Sequence, residues 1–121
     1  MNYFTMPGMK QFKLSDRKKR KNTIAAAYYK QQDIIDKVCR YFDFTFEILQ
    51  AKTKKGEIVF ARQICQWFLM KKCGLTCTHV AGLFLRDHTS ILHSIKMVNN
   101  MLEADYDNPT KYHVDQLKAI I

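Results

Sequence analysis

Arg86-Asp87-His88-Thr89-Ser90-Ile91-Leu92-His93-Ser94 sets short polar side chains at the start of a segment whose later residues are apolar at helical spacing. At about 100° per residue, with His88 at zero, Ile91, Ile95, Val98 and Leu102 fall between roughly 280° and 340° and make one apolar stripe. Thr89, His93 and Lys96 fall at roughly 80° to 140°, beside His88 and away from that stripe. Asp87 stands at the N-cap or in the first turn. A helix of this kind buries its stripe and presents its amino end. With a short helix bracing it from upstream, the pattern is a helix-turn-helix whose first turn faces a DNA major groove. The groove is wide enough to admit the whole helix. Thr89 offers a hydroxyl and a methyl, Asp87 can accept from a cytosine amino group, and His88 can bond a base or a phosphate. His93 and Lys96 are better placed for phosphates.

Upstream, residues 76–84 (TCTHVAGLF) predict the short bracing helix, with Val80, Leu83 and Phe84 inward, and Leu85-Arg86 a tight connection. From Glu57, the steps Ile58, Ala61, Ile64, Cys65, Phe68, Leu69 and Lys72 predict a long helix. Glu57 in its first turn and Lys71 and Lys72 in its last suit the helix dipole, and Gly74 stops it. Ahead of it lies a basic loop, residues 51–56 (AKTKKG). Thr45 is read as the cap of a short helix through Leu49. Asn22 or Thr23 is read as the cap of a helix from Ile24 to Tyr41, with a break near Lys30 to Asp33. Downstream, residues 105–109 (DYDNP) end the central helix. A last helix, Thr110 to Ile120, turns Val114, Leu117 and Ile121 inward. Strand-like alternation and internal repeats are absent from the sequence, so the expected fold is all-α.

The 121 residues are enough for one domain, and 47% of them are hydrophobic. The net charge of +9 points to a polyanionic partner. Residues 1–72 hold 16 of the 20 Lys and Arg, so the charge is off-centre. Residues 10–21 (KQFKLSDRKKRK) set a dense run of lysine and arginine against the single acid Asp16. Such a run repels itself, and residues 1–22 are expected to form a mobile basic arm ahead of a helical domain over 23–121. No apolar run reaches the roughly 20 residues that cross a bilayer, and no signal-peptide pattern opens the chain. Cys39, Cys65, Cys73 and Cys77 contain no C-x-x-C pair, so reduced thiols in a cytoplasmic, nucleoid-associated protein are expected.

Rival chemistries fare poorly. Cys73, Cys77 and His79 make C-x3-C-x-H without the second half of a zinc ligand set. His88 and Asp87 lack a nucleophile, because Thr89 and Ser90 share their turn. No glycine-rich phosphate cradle occurs. Neither an enzyme nor a metal, cofactor or nucleotide site is expected. A protein-interaction module remains open, using Trp67, Phe68 or the run Tyr41-Phe42-Asp43-Phe44.

Two blocks are recognisable. FLRDHTSILHS, from Phe84, resembles the signature [F]-G-G-R-D-H-[TS]-[TS]-V-[LI]-H-A of the C-terminal DNA-binding domain (domain IV) of DnaA, the bacterial chromosomal replication initiator. AKTKKGEIVFARQICQWFL, from Ala51, resembles that family's basic loop and following helix. The resemblance runs from Asp33 to Ile120, with about one residue missing before Arg86.

It implies a Trp-repressor-like helix-turn-helix, here as a domain without the family's ATPase module. It also implies that Asp87, His88, Thr89 and Ser90 read bases. Lys54, flanked by Lys52 and Lys55, falls where the family places an arginine in the adjacent minor groove. Arg62, Gln63, Cys77, Thr78 and His93 match backbone contacts. The implied partner is double-stranded DNA, a DnaA-box-like sequence of the TTAT-N-CACA type, with a replication protein as a further partner. The chain departs from the family at Lys54 (arginine), Leu85 (Gly-Gly, so the turn is tighter or bent differently), Thr78 (proline) and Met70 (lysine). The expected role is sequence-specific DNA binding in replication initiation or its regulation. The alternatives are a transcriptional regulator, a mobile-element protein, or a module that binds an initiator.

Overall fold

Side-chain caps decide where four of the helices begin. Thr45, Thr76, Asp87 and Asn108 each have an extended backbone and a side-chain oxygen that accepts an N–H from the first turn of the helix that follows. The computed structural model describes residues 30–121. The expected basic arm, the Asn22 or Thr23 cap, Ile24 and Tyr28 lie outside the described residues. Six helices follow one another: α1 (described over 30–42), α2 (Phe46–Gln50), α3 (Gly56–Cys73), α4 (Cys77–Leu83), α5 (His88–Glu103) and α6 (Pro109–Ile120). The described residues contain no strand.

Lys30 to Asp33, where a break is expected, are helical, and α1 is continuous from them to residue 42. Buried Gln31 sits in that stretch, its Oε1 3.1 Å from His79 Nε2 on α4, which gives those residues a fixed partner. At its far end Asp43 takes a left-handed backbone (φ +60), and Phe44 N–H donates to Cys39 O at 3.0 Å. That is a Schellman closure, and an aspartate tolerates it better than a branched residue.

The long helix α3 is the centre of the core. Ala61, Arg62 and every residue from Ile64 to Leu69 are buried, so its middle is covered on all sides. The single stripe expected from the sequence is therefore too narrow, since a helix surrounded by neighbours buries more than one face. Trp67 and Phe68, offered above as docking aromatics, are 7% and 0% exposed. Trp67 Nε1 donates to Asn99 Oδ1 at 2.8 Å. Tyr41, Phe42 and Phe44 are half-buried against the same core. Gly74, at φ +66, ends α3 as its position suggested.

Across α3 lies α5, with Ile91, Ser94 and Val98 buried and Ile95 and Leu102 half-buried. The centre of burial is thus turned by about 30–40° from the expected stripe. Ser94 occupies the added space, its Oγ donating to Ser90 O at 3.1 Å. Helix α6 packs on α5 through buried Thr110, Val114 and Leu117. Its His113 shares a 2.7 Å hydrogen bond with Tyr41 of α1.

Candidate nucleic-acid interface

The turn between α4 and α5 is built from main-chain bonds. Arg86 N–H donates to Ala81 O at 2.9 Å and Leu85 N–H to Gly82 O at 3.4 Å, again a Schellman closure. The left-handed residue is Leu85, at φ +56 and 66% exposed. One residue does here what the resemblance assigns to two glycines. Asp87 follows and caps α5, its Oδ1 accepting Ser90 N–H at 2.9 Å. The first turn of α5 is therefore capped and closed onto α4, and Asp87, His88, Thr89 and Ser90 are all exposed.

His93 and Lys96 are exposed on the arc beside them. So is Leu92, 53% exposed, which falls at about 40° on the same wheel, between His88 and Lys96. Sequence reasoning passed over it. Its signal was its angle, well outside the apolar stripe.

The basic loop lies against this turn. Gln50 Nε2 donates to Leu83 O, the last residue of α4, at 2.7 Å. Arg86 Nη2 donates to Ala51 O, also at 2.7 Å. Lys52, Lys54 and Lys55 are exposed on the loop so held. Within it, Thr53 Oγ1 accepts Lys55 N–H at 3.2 Å. The loop that carries the three lysines is thus held against the turn that opens α5.

Arg62 departs from the expectation of a phosphate-binding side chain. It is 7% exposed. Its Nε donates to Leu49 O at 2.7 Å, and its Nη2 to Ala51 O at 2.9 Å and Thr53 O at 3.3 Å. It grips the loop from inside. Burial, and then the charge of neighbouring Arg86, hold the guanidinium below its ordinary pKa. Gln63 is half-buried beside a pocket of about 230 Å³ lined also by Phe60, Met97 and Met101, on the side of α3 that meets α5 and α6. Cys77 is half-buried, and its Sγ donates to His88 O at 3.2 Å, tying the start of α4 to the start of α5. That bond engages the thiol, while Thr78 beside it is exposed. Cys73, Cys77 and His79 are not brought into a ligand set, and no group of three metal-binding side chains forms among the described residues. No helix among them is long and apolar enough to cross a membrane.

The chain is also similar in sequence to known proteins. The family model described as the bacterial dnaA protein helix-turn-helix matches residues 31–98. The chain is 31% identical over 72 residues to the chromosomal replication initiator protein DnaA of Mycoplasma genitalium, covering 60% of this chain and 16% of that protein. It is 37% identical over 75 residues to the DnaA of Bacteroides thetaiotaomicron, covering 60% and 16%. With the DnaA of Ureaplasma parvum it shares 31% over 83 residues, 68% and 18% of the two lengths. The chain thus spans less than a fifth of each of these relatives.

Proposed function

Since the chain belongs to the bacterial DnaA helix-turn-helix family, we infer that it binds double-stranded DNA with a sequence preference and serves replication initiation or its control. The observation that supports this most is the exposed, capped first turn of α5, fastened beside a loop of three exposed lysines. Polar side chains on a rigid helix end suit base edges, and lysines on a flanking loop suit the phosphate chain and the next minor groove.

In this reading Asp87, His88, Thr89 and Ser90 read bases. Lys52, Lys54 and Lys55 serve the minor-groove side, and Thr78, His93 and Lys96 serve phosphates. Asp87 Oδ1 is held by the cap, so a base amino group meets Oδ2. The lysine-rich residues 10–21 add sequence-independent attraction, and residues 1–22 act as an arm to the helical domain. The reading assigns no catalysis to any of these groups.

Selection of bound duplexes from a random pool tests it. A TTAT-N-CACA-like consensus is expected, with binding that weakens steeply as salt rises, because phosphate contacts release counterions. A different consensus would keep the DNA reading and shift the role toward a transcriptional regulator or a mobile-element protein. Binding to no duplex, or binding indifferent to salt, would overturn it in favour of a protein partner.

A further inference from the structure

We propose that Arg86 is a positioning residue that makes the two DNA-facing elements act as one, by fixing the basic loop at a set distance from the first turn of α5. The proposal rests on the DNA-binding reading above and deepens it.

Arg86 joins three elements. Its main-chain N–H closes α4 on Ala81 O, its side chain holds Ala51 O across 35 residues of sequence, and the next residue caps α5. A second guanidinium, that of Arg62, reaches the same Ala51 oxygen at 2.9 Å and extends to Leu49 O and Thr53 O. Gln50 makes a parallel tie to Leu83 O, so the loop is fastened at both edges of the turn between α4 and α5.

Two like charges converging on one carbonyl oppose each other. The one ion pair among the described residues, Lys37 with Asp33, lies elsewhere. Among the described residues nothing acidic therefore offsets the Arg62 and Arg86 charges within salt-bridge distance, and Arg86 Nε is buried without a hydrogen-bond partner there. The arrangement is poor as a device for stability alone. It is well suited to hold a lysine loop, which repels itself, in one position while adding positive potential beneath it. A duplex then meets the Lys54 side of the loop and the Asp87-to-Ser90 turn at one spacing, with the loop already ordered before binding.

A double-mutant cycle between Arg86→Ala and Lys54→Ala reads this directly, using the full chain and its best selected duplex. Lys54→Ala is expected to weaken the parent about tenfold but the Arg86→Ala chain less than about twofold, the non-additivity of residues that share a network. Amide hydrogen exchange across residues 51–55 of the free protein should quicken in Arg86→Ala while exchange in α3 and α6 stays at the parent rate. Should Arg86→Ala not fold, Arg86→Lys takes its place in the cycle. It keeps the charge and one donor without the planar fork, and Lys54→Ala is expected to weaken that chain less than it weakens the parent. Equal losses for Lys54→Ala in both backgrounds, with unchanged loop exchange, would overturn the proposal alone. A parent chain that binds no duplex would overturn the DNA reading and this proposal with it.

Discussion

The first and last turns of α5 belong to one helix, yet they differ in burial, charge and partners. Around the first turn, Asp87, His88, Thr89 and Ser90 are exposed, and Lys52, Lys54 and Lys55 stand nearby on a loop tied to Arg86. Around the last turn, Asn108 Nδ2 donates to Met101 O at 2.8 Å and to Tyr106 O at 3.2 Å while its Oδ1 caps α6, and Lys111 Nζ donates to Ala104 O. Residues 99–121 hold two lysines against four acids. The family match stops at residue 98, between these two ends. The carboxyl end shows what the amino end needs: a side-chain surface can be left open on a helix whose other end is locked by packing. Stability and recognition should therefore separate along α5.

The largest expected effect tests the locked end. Leu117 is fully buried, and Leu117→Ala should lower unfolding free energy by about 2–5 kcal/mol. Urea or thermal melts measure this. At temperatures where the variant stays folded, its ranking of duplexes should match the parent's. A changed ranking would mean that α6 shapes the recognition surface directly and that the two ends are not separable.

Next comes the open end. His88→Ala combined with Thr89→Ala should leave stability within about 0.5 kcal/mol of the parent, as surface changes usually do. The preference for the best duplex over a scrambled one should shrink by about 1–3 kcal/mol for each lost base contact. Affinity for the scrambled duplex should stay nearly constant. If affinity fell equally for both duplexes, the first turn would be a phosphate-binding element and not a reader of sequence.

How much of this division was legible in the sequence follows from the kind of interaction involved. Helix starts were readable where a short polar side chain caps, as at Thr45 and Asp87, because capping acts over three residues. The stop at Gly74 was readable for the same local reason. Arg86 was quoted in the sequence and given no role. Its bond runs to a carbonyl 35 residues away, and such a bond leaves no periodic trace. Arg62 was readable as a cation but not as a buried one, because burial here follows from the path of the loop over α3. Ser94 falls at about 240° on the wheel of α5, outside the expected stripe, and it is buried because α5 is turned by its packing against α3 and α4. Local chemistry thus revealed the helices and the open turn, while the fastening between loop and turn required three dimensions.

A smaller effect separates two duties at one residue. Asp87 caps α5 through Oδ1. Asp87→Asn keeps an N-cap of equal rank, so melting should barely move, whereas Asp87→Ala should lower stability by about 1 kcal/mol. If the carboxylate also accepts from a cytosine amino group, both variants should lose preference at one and the same base pair. A loss seen with alanine alone would assign Asp87 to the cap and remove it from the set of base readers.

The smallest effect concerns the turn that joins the helices. Leu85 holds a left-handed backbone at φ +56 with its side chain 66% exposed. An L-residue in that conformation costs about 1–2 kcal/mol, and glycine avoids the strain. Glycine also frees the unfolded chain, which returns about 0.4–1 kcal/mol of the gain. With little apolar area to lose, Leu85→Gly should raise stability by about 0.5 kcal/mol, a shift of roughly 2–4 °C in Tm for a domain of this size. The hydrogen bonds from Arg86 and Leu85 N–H to α4 should persist, because both depend on the left-handed turn that glycine adopts freely. If Tm rises while duplex affinity falls, the exposed leucine contacts DNA and the open surface extends across the turn to α4. If affinity is unchanged, that surface ends at Arg86, and the strain at Leu85 stems only from fitting the turn into a single residue.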